Sequence, residues 1–109
     1  MSTLSTHVLD AALGDPAADL GVTLHRVGDP TGDRLAEAVT DDDGRVGFDV
    51  DLAGGVHELR FATGPWFAAA HRDTFFPEVT VAFEVEAGRA HHHVALLLSP
   101  YSYTTYRGS

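Results

Sequence analysis

The chain has no cysteine in its 109 residues. Disulfides, thiol nucleophiles and thiolate metal sites are therefore excluded. It has no lysine either, since all seven basic residues are arginines. Schiff-base catalysis and Walker-type phosphate binding need that amine and are excluded with it. Positive charge is scarce: the net charge is −9, which argues against nucleic acid or an anionic membrane as partner. No apolar run approaches the ~20 residues that span a bilayer. The first ten residues, Met1 to Asp10, carry no basic flank and no long apolar stretch, unlike a secretory leader. The expectation is one domain over 1–109, cytoplasmic.

What is present is a chain 44% hydrophobic, cut by turn signals into short segments. That is the pattern of an all-β sandwich or barrel. Strands are expected over Thr3 to Leu9, Gly21 to Val27, Arg34 to Thr40, Arg45 to Val50, Val56 to Thr63, Thr80 to Glu86, His91 to Ser99 and Tyr101 to Arg107. The alanines of the third fit a helix equally well. Gly14-Asp15-Pro16, Asp41-Asp42-Asp43-Gly44 and Gly54-Gly55 separate strands. Gly64-Pro65 opens the one expected helix, Trp66 to about Arg72. A period of two places His57, Leu59 and Phe61 on one face, and Val79, Val81, Phe83 and Val85 likewise.

The last nineteen residues are the most informative. Alternation puts Ala90, His92, Val94, Leu96 and Leu98 on a core face, and His91, His93, Ala95, Leu97 and Ser99 on the other. A strand apolar on both faces is usually covered on both, most simply here by another subunit. His91-x-His93 places two imidazoles on one face, which raises a metal question. Zinc needs three or four ligands, and no fixed spacing supplies the rest. Singly, His7 reads as an edge histidine, Arg45 as a partner of the acidic turn, Tyr106-Arg107 as a packed last strand, and Asp10 and Glu78 as turn and cap residues. His25, His57 and His71 read as structural.

Jointly the segments are more specific. Leu4-Ser5-Thr6-His7-Val8-Leu9-Asp10, Gly14-Asp15-Pro16-Ala17, Asp43-Gly44-Arg45, Phe76-Pro77-Glu78, His93-Val94, Leu96-Leu97-Leu98-Ser99-Pro100 and Tyr106-Arg107-Gly108-Ser109 resemble the 5-hydroxyisourate hydrolases, the enzymatic branch of the transthyretin-like family. The resemblance covers essentially the whole chain. It implies an eight-stranded transthyretin-like sandwich with one short helix, assembled as a dimer of dimers. It implies hydrolysis of 5-hydroxyisourate to 2-oxo-4-hydroxy-4-carboxy-5-ureidoimidazoline in the urate-to-allantoin pathway, with neither metal nor cofactor. His7, Arg45 and His93 take the catalytic positions. His7, Arg45, Tyr106, Arg107 and Ser109 take the substrate contacts. The chain departs from the family's His-Tyr-His-Val-Pro, since His92 stands for the tyrosine and Ala95 for the proline. Two other readings are a transthyretin-like carrier, which binds a small aromatic ligand without turnover, and an inert domain with a His-x-His metal clip.

Overall fold

A computed structural model describes residues 2–32 and 34–108. Among these, nine strands and one helix form two facing sheets. The strands are β1 (Thr3–Asp10), β2 (Asp15–Pro16), β3 (Gly21–Arg26), β4 (Arg34–Val39), β5 (Arg45–Phe48), β6 (Gly55–Phe61), β7 (Val79–Val85), β8 (His91–Ser99) and β9 (Ser102–Arg107); the helix is α1 (Thr63–Ala69). The first sheet runs β2-β1-β8-β9, with β5 also pairing β1. The second runs β4-β3-β6-β7. The fold is the expected two-sheet sandwich of eight strands with one short helix. The ninth, β2, is a two-residue bridge back onto Leu9 and Asp10. No helix among the described residues is long and apolar enough to cross a membrane.

The alternating faces explain the core. Leu4, Val8, Val94, Leu96 and Leu98 are buried from the first sheet, and Val22, Leu24, Leu59, Phe61, Val79 and Val85 from the second. These β-branched and aliphatic side chains suit a pleated, half-buried surface. His92 lies on this core face, as its place in the alternation requires, and its Nε2 accepts the Glu86 N–H at 3.1 Å. Ala90 departs from the expected face: it is exposed, just before β8 begins. The alanine-rich Arg34–Val39 segment forms an edge strand because β3 offers it a ladder, so tertiary pairing overrides its ambiguous propensity.

The helix begins three residues earlier than expected and ends earlier too. Thr63 is buried and its hydroxyl donates to the Phe76 carbonyl at 2.6 Å, which brings Gly64-Pro65 into the first turn. The close packing of Gly64 is strict, since a Cβ there would lie 2.9 Å from the Pro77 carbonyl oxygen. At the far end His71 is left-handed, at φ 55°. The Arg72 N–H then closes onto Phe67 O at 3.0 Å, the long-range bond of a helix C-terminal motif. Arg72 is thereby outside the helix, and its guanidinium reaches Asp10 at the end of β1 at 2.6 Å.

Candidate active site

Register builds the site. On β1 the odd residues Thr3, Ser5, His7 and Leu9 point away from the core, while the even ones through Asp10 are buried. β5 pairs His7 with Arg45 and Ser5 with Gly47. On the other side β8, running parallel, pairs His7 with Ala95, Ser5 with His93 and Thr3 with His91. β9 then pairs Ala95 with Tyr106. One rung of the sheet therefore carries Arg45, His7, Ala95 and Tyr106 on its outer face. The next carries Gly47, Ser5 and His93, with Gly108 bonded to His93 beyond the end of β9. Strands lie ~4.8 Å apart and rise ~3.3 Å per residue. His7 and His93 are thus diagonal neighbours whose Cα atoms are about 8 Å apart by that geometry.

The sheet brings His7, Arg45, His93 and Tyr106 together on one face. It does not bring Arg107 with them. Adjacent strand residues face opposite ways, and Arg107 pairs with Val94, on the core side of β8. Its guanidinium stands at 3.4 Å from Glu86. Ser109 lies outside the described residues.

Each ring and cation has a legible local setting. His7 Nε2 lies 2.9 Å from the Asp43 carbonyl oxygen. A carbonyl only accepts, so that nitrogen carries the proton and neutral His7 keeps a bare Nδ1. The acidic turn is itself held by Asp41, whose Oδ1 accepts the N–H groups of Asp43 and Arg45, each at 2.9 Å. Those bonds, the Arg45 N–H first, hold the Asp41 carboxyl below the ordinary carboxylate range. Asp41 thus grips the backbone of Arg45. The Arg45 guanidinium itself makes no hydrogen bond or ion pair among the described residues. It is a charge-fixed fork left available on the outer face.

His93 is half-buried. Burial first, then the positive charges of His7, Arg45 and His91, push its imidazole below the ordinary range. Its Nδ1 lies 2.6 Å from Ser5 Oγ. The ring borders two hollows. One, of about 370 Å³, is lined by Ser5, Arg45, Gly47 and His91 as well. A side chain built on Gly47 would meet nothing within 4 Å, so the floor of that hollow is open. The other, of about 340 Å³, lies at the edge of the sandwich, where Tyr106, Arg107, Val81 and Phe83 also line it.

The tripeptide Tyr106-Arg107-Gly108 is bound into this arrangement by its glycine. A Cβ on Gly108 would lie 2.3 Å from His93 Cδ2 and 3.2 Å from Cγ. The imidazole edge therefore rests on the bare α-carbon, and the Gly108 N–H donates to His93 O at 2.9 Å. Gly108→Ala must swing the ring aside. A displacement of about 1 Å at a reacting group can cost 10²-fold, so we expect roughly that loss of turnover with an unchanged melting temperature. Equal loss of stability and activity would mean instead that Gly108 serves folding.

Ser5 and Gly47 were not given a role by the sequence; His91 was weighed only as a metal ligand, and Gly108 only as part of the terminal motif. Ser5 could have been singled out, because it lies two residues before His7 and shares its face. No group of three or more histidine or carboxylate side chains among the described residues is placed to hold a metal ion. His91 and His93 share a face, but His92 points into the core. His25 and His57 are buried in the second sheet, and His71 is exposed beyond the helix. Asp10 is a turn residue, accepting the Ala12 and Leu13 N–H groups at 3.1 Å each.

A two-sheet sandwich with this strand order and a polar rung on its outer face defines the transthyretin-like class. The HIUase/Transthyretin family model matches residues 4–108, and the chain belongs to that family. It is 44% identical to a 5-hydroxyisourate hydrolase of Caulobacter vibrioides, with all of both chains covered. Among solved structures it resembles the 5-hydroxyisourate hydrolase of Klebsiella pneumoniae, at 40% identity and a TM-score of 0.87, over 100% of this chain and 94% of that one. It also resembles sea bream transthyretin in complex with thyroxine, at 29% identity and a TM-score of 0.87, over 96% of this chain and 93% of that one.

Proposed function

We propose that the chain hydrolyses 5-hydroxyisourate to 2-oxo-4-hydroxy-4-carboxy-5-ureidoimidazoline, as a cytoplasmic step between urate and allantoin. The observation that carries this reading is the pair of adjacent rungs, with Arg45, His7 and Tyr106 on one and His93 on the other. The full-length likeness to hydrolases supports it.

The reaction opens the six-membered ring at its acyl C–N bond. Water must be made nucleophilic and the developing oxyanion stabilised. His7 is suited to the first task, because its proton is held on Nε2 by Asp43 and its Nδ1 lone pair is free to take a proton from water. The proton so gained returns to the ring nitrogen as the C–N bond breaks, so the protein ends as it began. Arg45 is suited to the second, as a permanent cation whose guanidinium makes no hydrogen bond or ion pair among the described residues. His93 is the partner of His7 on the next rung. Tyr106 on this face and Ser109 complete the substrate contacts, and Arg107 would reach the substrate only from the edge hollow it shares with His93 and Tyr106. No serine or cysteine nucleophile, covalent intermediate, metal or cofactor enters this scheme.

We further propose a homotetramer, a dimer of dimers, whose facing dimers enclose the outer rungs. Leu97 and Leu9 are only half-buried on that face, which favours a covering subunit. No nucleic acid or membrane takes part.

The experiment is direct. Urate oxidase generates 5-hydroxyisourate, whose ultraviolet absorbance decays spontaneously, and the purified protein should accelerate that decay. A rate equal to the spontaneous one removes the hydrolase reading. The likeness to a thyroxine-bound transthyretin favours a carrier as the second reading. Tight binding of a small aromatic ligand by the same preparation, without turnover, would support it. Apolar walls are usual for such pockets, and two histidines and an arginine favour reaction instead.

A further inference from the structure

A row of polar side chains runs along the outer face of β1 and β8 and ends at His93. Thr3 Oγ1 lies 2.6 Å from His91 Nδ1. His91 Nε2 lies 2.9 Å from Ser5 Oγ. Ser5 Oγ lies 2.6 Å from His93 Nδ1. The chain is a product of the parallel pairing, which sets Thr3 beside His91 and Ser5 beside His93, with His91 at the diagonal between the two hydroxyls.

With both rings neutral, each hydroxyl has one proton and two lone pairs and each ring has one N–H. The row can therefore run toward Thr3 or toward His93, or Ser5 can accept from both rings with its own proton turned to solvent. Toward Thr3, the donors would be His93 Nδ1–H, Ser5 O–H and His91 Nδ1–H. Toward His93, they would be Thr3 O–H, His91 Nε2–H and Ser5 O–H.

The lengths favour one of them. Bonds donated by a hydroxyl are shorter than those donated by N–H, with modes of about 2.7–2.8 Å and 2.9–3.0 Å for oxygen acceptors. The two 2.6 Å contacts fit hydroxyl donors and the 2.9 Å contact fits a ring N–H donor. All three agree on the direction toward His93. The opposite direction would also leave the Thr3 hydroxyl proton with only Ala90 O, at 3.4 Å.

We propose that Thr3, His91 and Ser5 are positioning residues that hold His93 in the tautomer with its proton on Nε2. This rests on the hydrolase reading for its catalytic meaning, and the tautomer itself does not. His93 then presents an N–H donor, while His7 presents a bare Nδ1. The two histidines differ in role because their hydrogen-bond partners differ: a carbonyl fixes one and a hydroxyl fixes the other. His93 stabilises charge developing on the substrate by hydrogen bonding, and His7 handles the proton of water. The titratable and charged groups sharing this face are His7 on β1, Arg45 on β5, His91 on β8 and Tyr106 on β9.

The test uses the full chain with ¹⁵N-labelled histidine. At a pH where His93 is neutral, its Nδ1 should give the chemical shift of an unprotonated acceptor and its Nε2 that of an N–H. In Ser5→Ala the preference should collapse toward a mixture of tautomers. There kcat should fall roughly tenfold with KM nearly unchanged, a small part of the 10²–10⁴ that a positioned acid or base contributes. Ser5→Thr keeps the hydroxyl and should keep both the tautomer and the rate. A wild-type His93 found with its proton on Nδ1 overturns the proposal. So does a Ser5→Ala protein with the wild-type tautomer and kcat, or an equal loss in Ser5→Thr. If the wild-type protein shows no turnover, the hydrolase reading fails while the spectra still decide the tautomer.

Discussion

His7→Ala is expected to lower kcat for 5-hydroxyisourate by about 10²–10⁴-fold, the range for a positioned general base. The fold should survive. The ring lies half-buried on the outer face, and its one side-chain bond among the described residues is to Asp43 O. The backbone ladders to β5 and β8 do not involve it. Arg45→Ala should cost about 10²–10³-fold, as removal of one oxyanion-stabilising donor does. A second readout is independent of turnover. The His7 charge helps to hold the His93 imidazole down, as do burial and Arg45. In either variant the His93 pKa should therefore move up, toward the ordinary imidazole value, in an NMR titration. Unchanged kcat in both variants would place the chemistry elsewhere, even if the protein proved an active hydrolase.

Arg72→Met should destabilise the fold by roughly 3 kcal/mol, the lower end of what breaking a buried ion pair costs. The lower end applies because the Arg72 side chain is 22% exposed, against 2% for Asp10. The midpoint of thermal unfolding should drop by about 13 °C. Burial is the largest influence on the Asp10 carboxyl and pushes it up. The Arg72 hydrogen bond, the Leu13 N–H, the Arg72 charge and the Ala12 N–H outweigh it together, so the group sits below the ordinary carboxylate range. A carboxyl lowered in the folded state adds stability that is complete above its unfolded pKa and is lost as pH falls through the folded one. The gap between wild type and Arg72→Met should therefore be widest near neutral pH and close in acid. Urea titrations at several pH values measure it. A gap below about 1 kcal/mol at pH 7 would make this an ordinary surface pair.

How much of this was legible beforehand depended on distance along the chain. The faces of β6, β7 and β8 followed from alternation alone, because a period of two is a local property. His57, Leu59 and Phe61 are buried together as the pattern requires. The start of the helix was not legible, since it depends on Thr63 reaching Phe76 O. His7, Arg45 and His93 were nameable as a set only through the family resemblance. That they share adjacent rungs is a matter of register between segments far apart, which no local pattern carries. The separation of Arg107 from Tyr106 was the reverse case. Neighbours in a strand face opposite ways, so alternation alone contained it. Gly108 could be read as part of a motif. That it is glycine because an imidazole lies against its α-carbon required the coordinates.

The parallel pairing of β1 with β8 has a consequence for how the protein comes into being. Its bonded residues are 88 positions apart, as Thr3 and His91 are. Closing so large a loop exacts an entropic cost before the ladder returns anything, and folds rich in such pairings form slowly. On the ribosome, β3, β4, β6 and β7 can assemble into their sheet while β8 and β9 are still being made. β1 must wait with one edge unpaired. The β1–β8 pairing is therefore expected to close late, and appearance of hydrolytic activity during refolding should lag the appearance of β-structure.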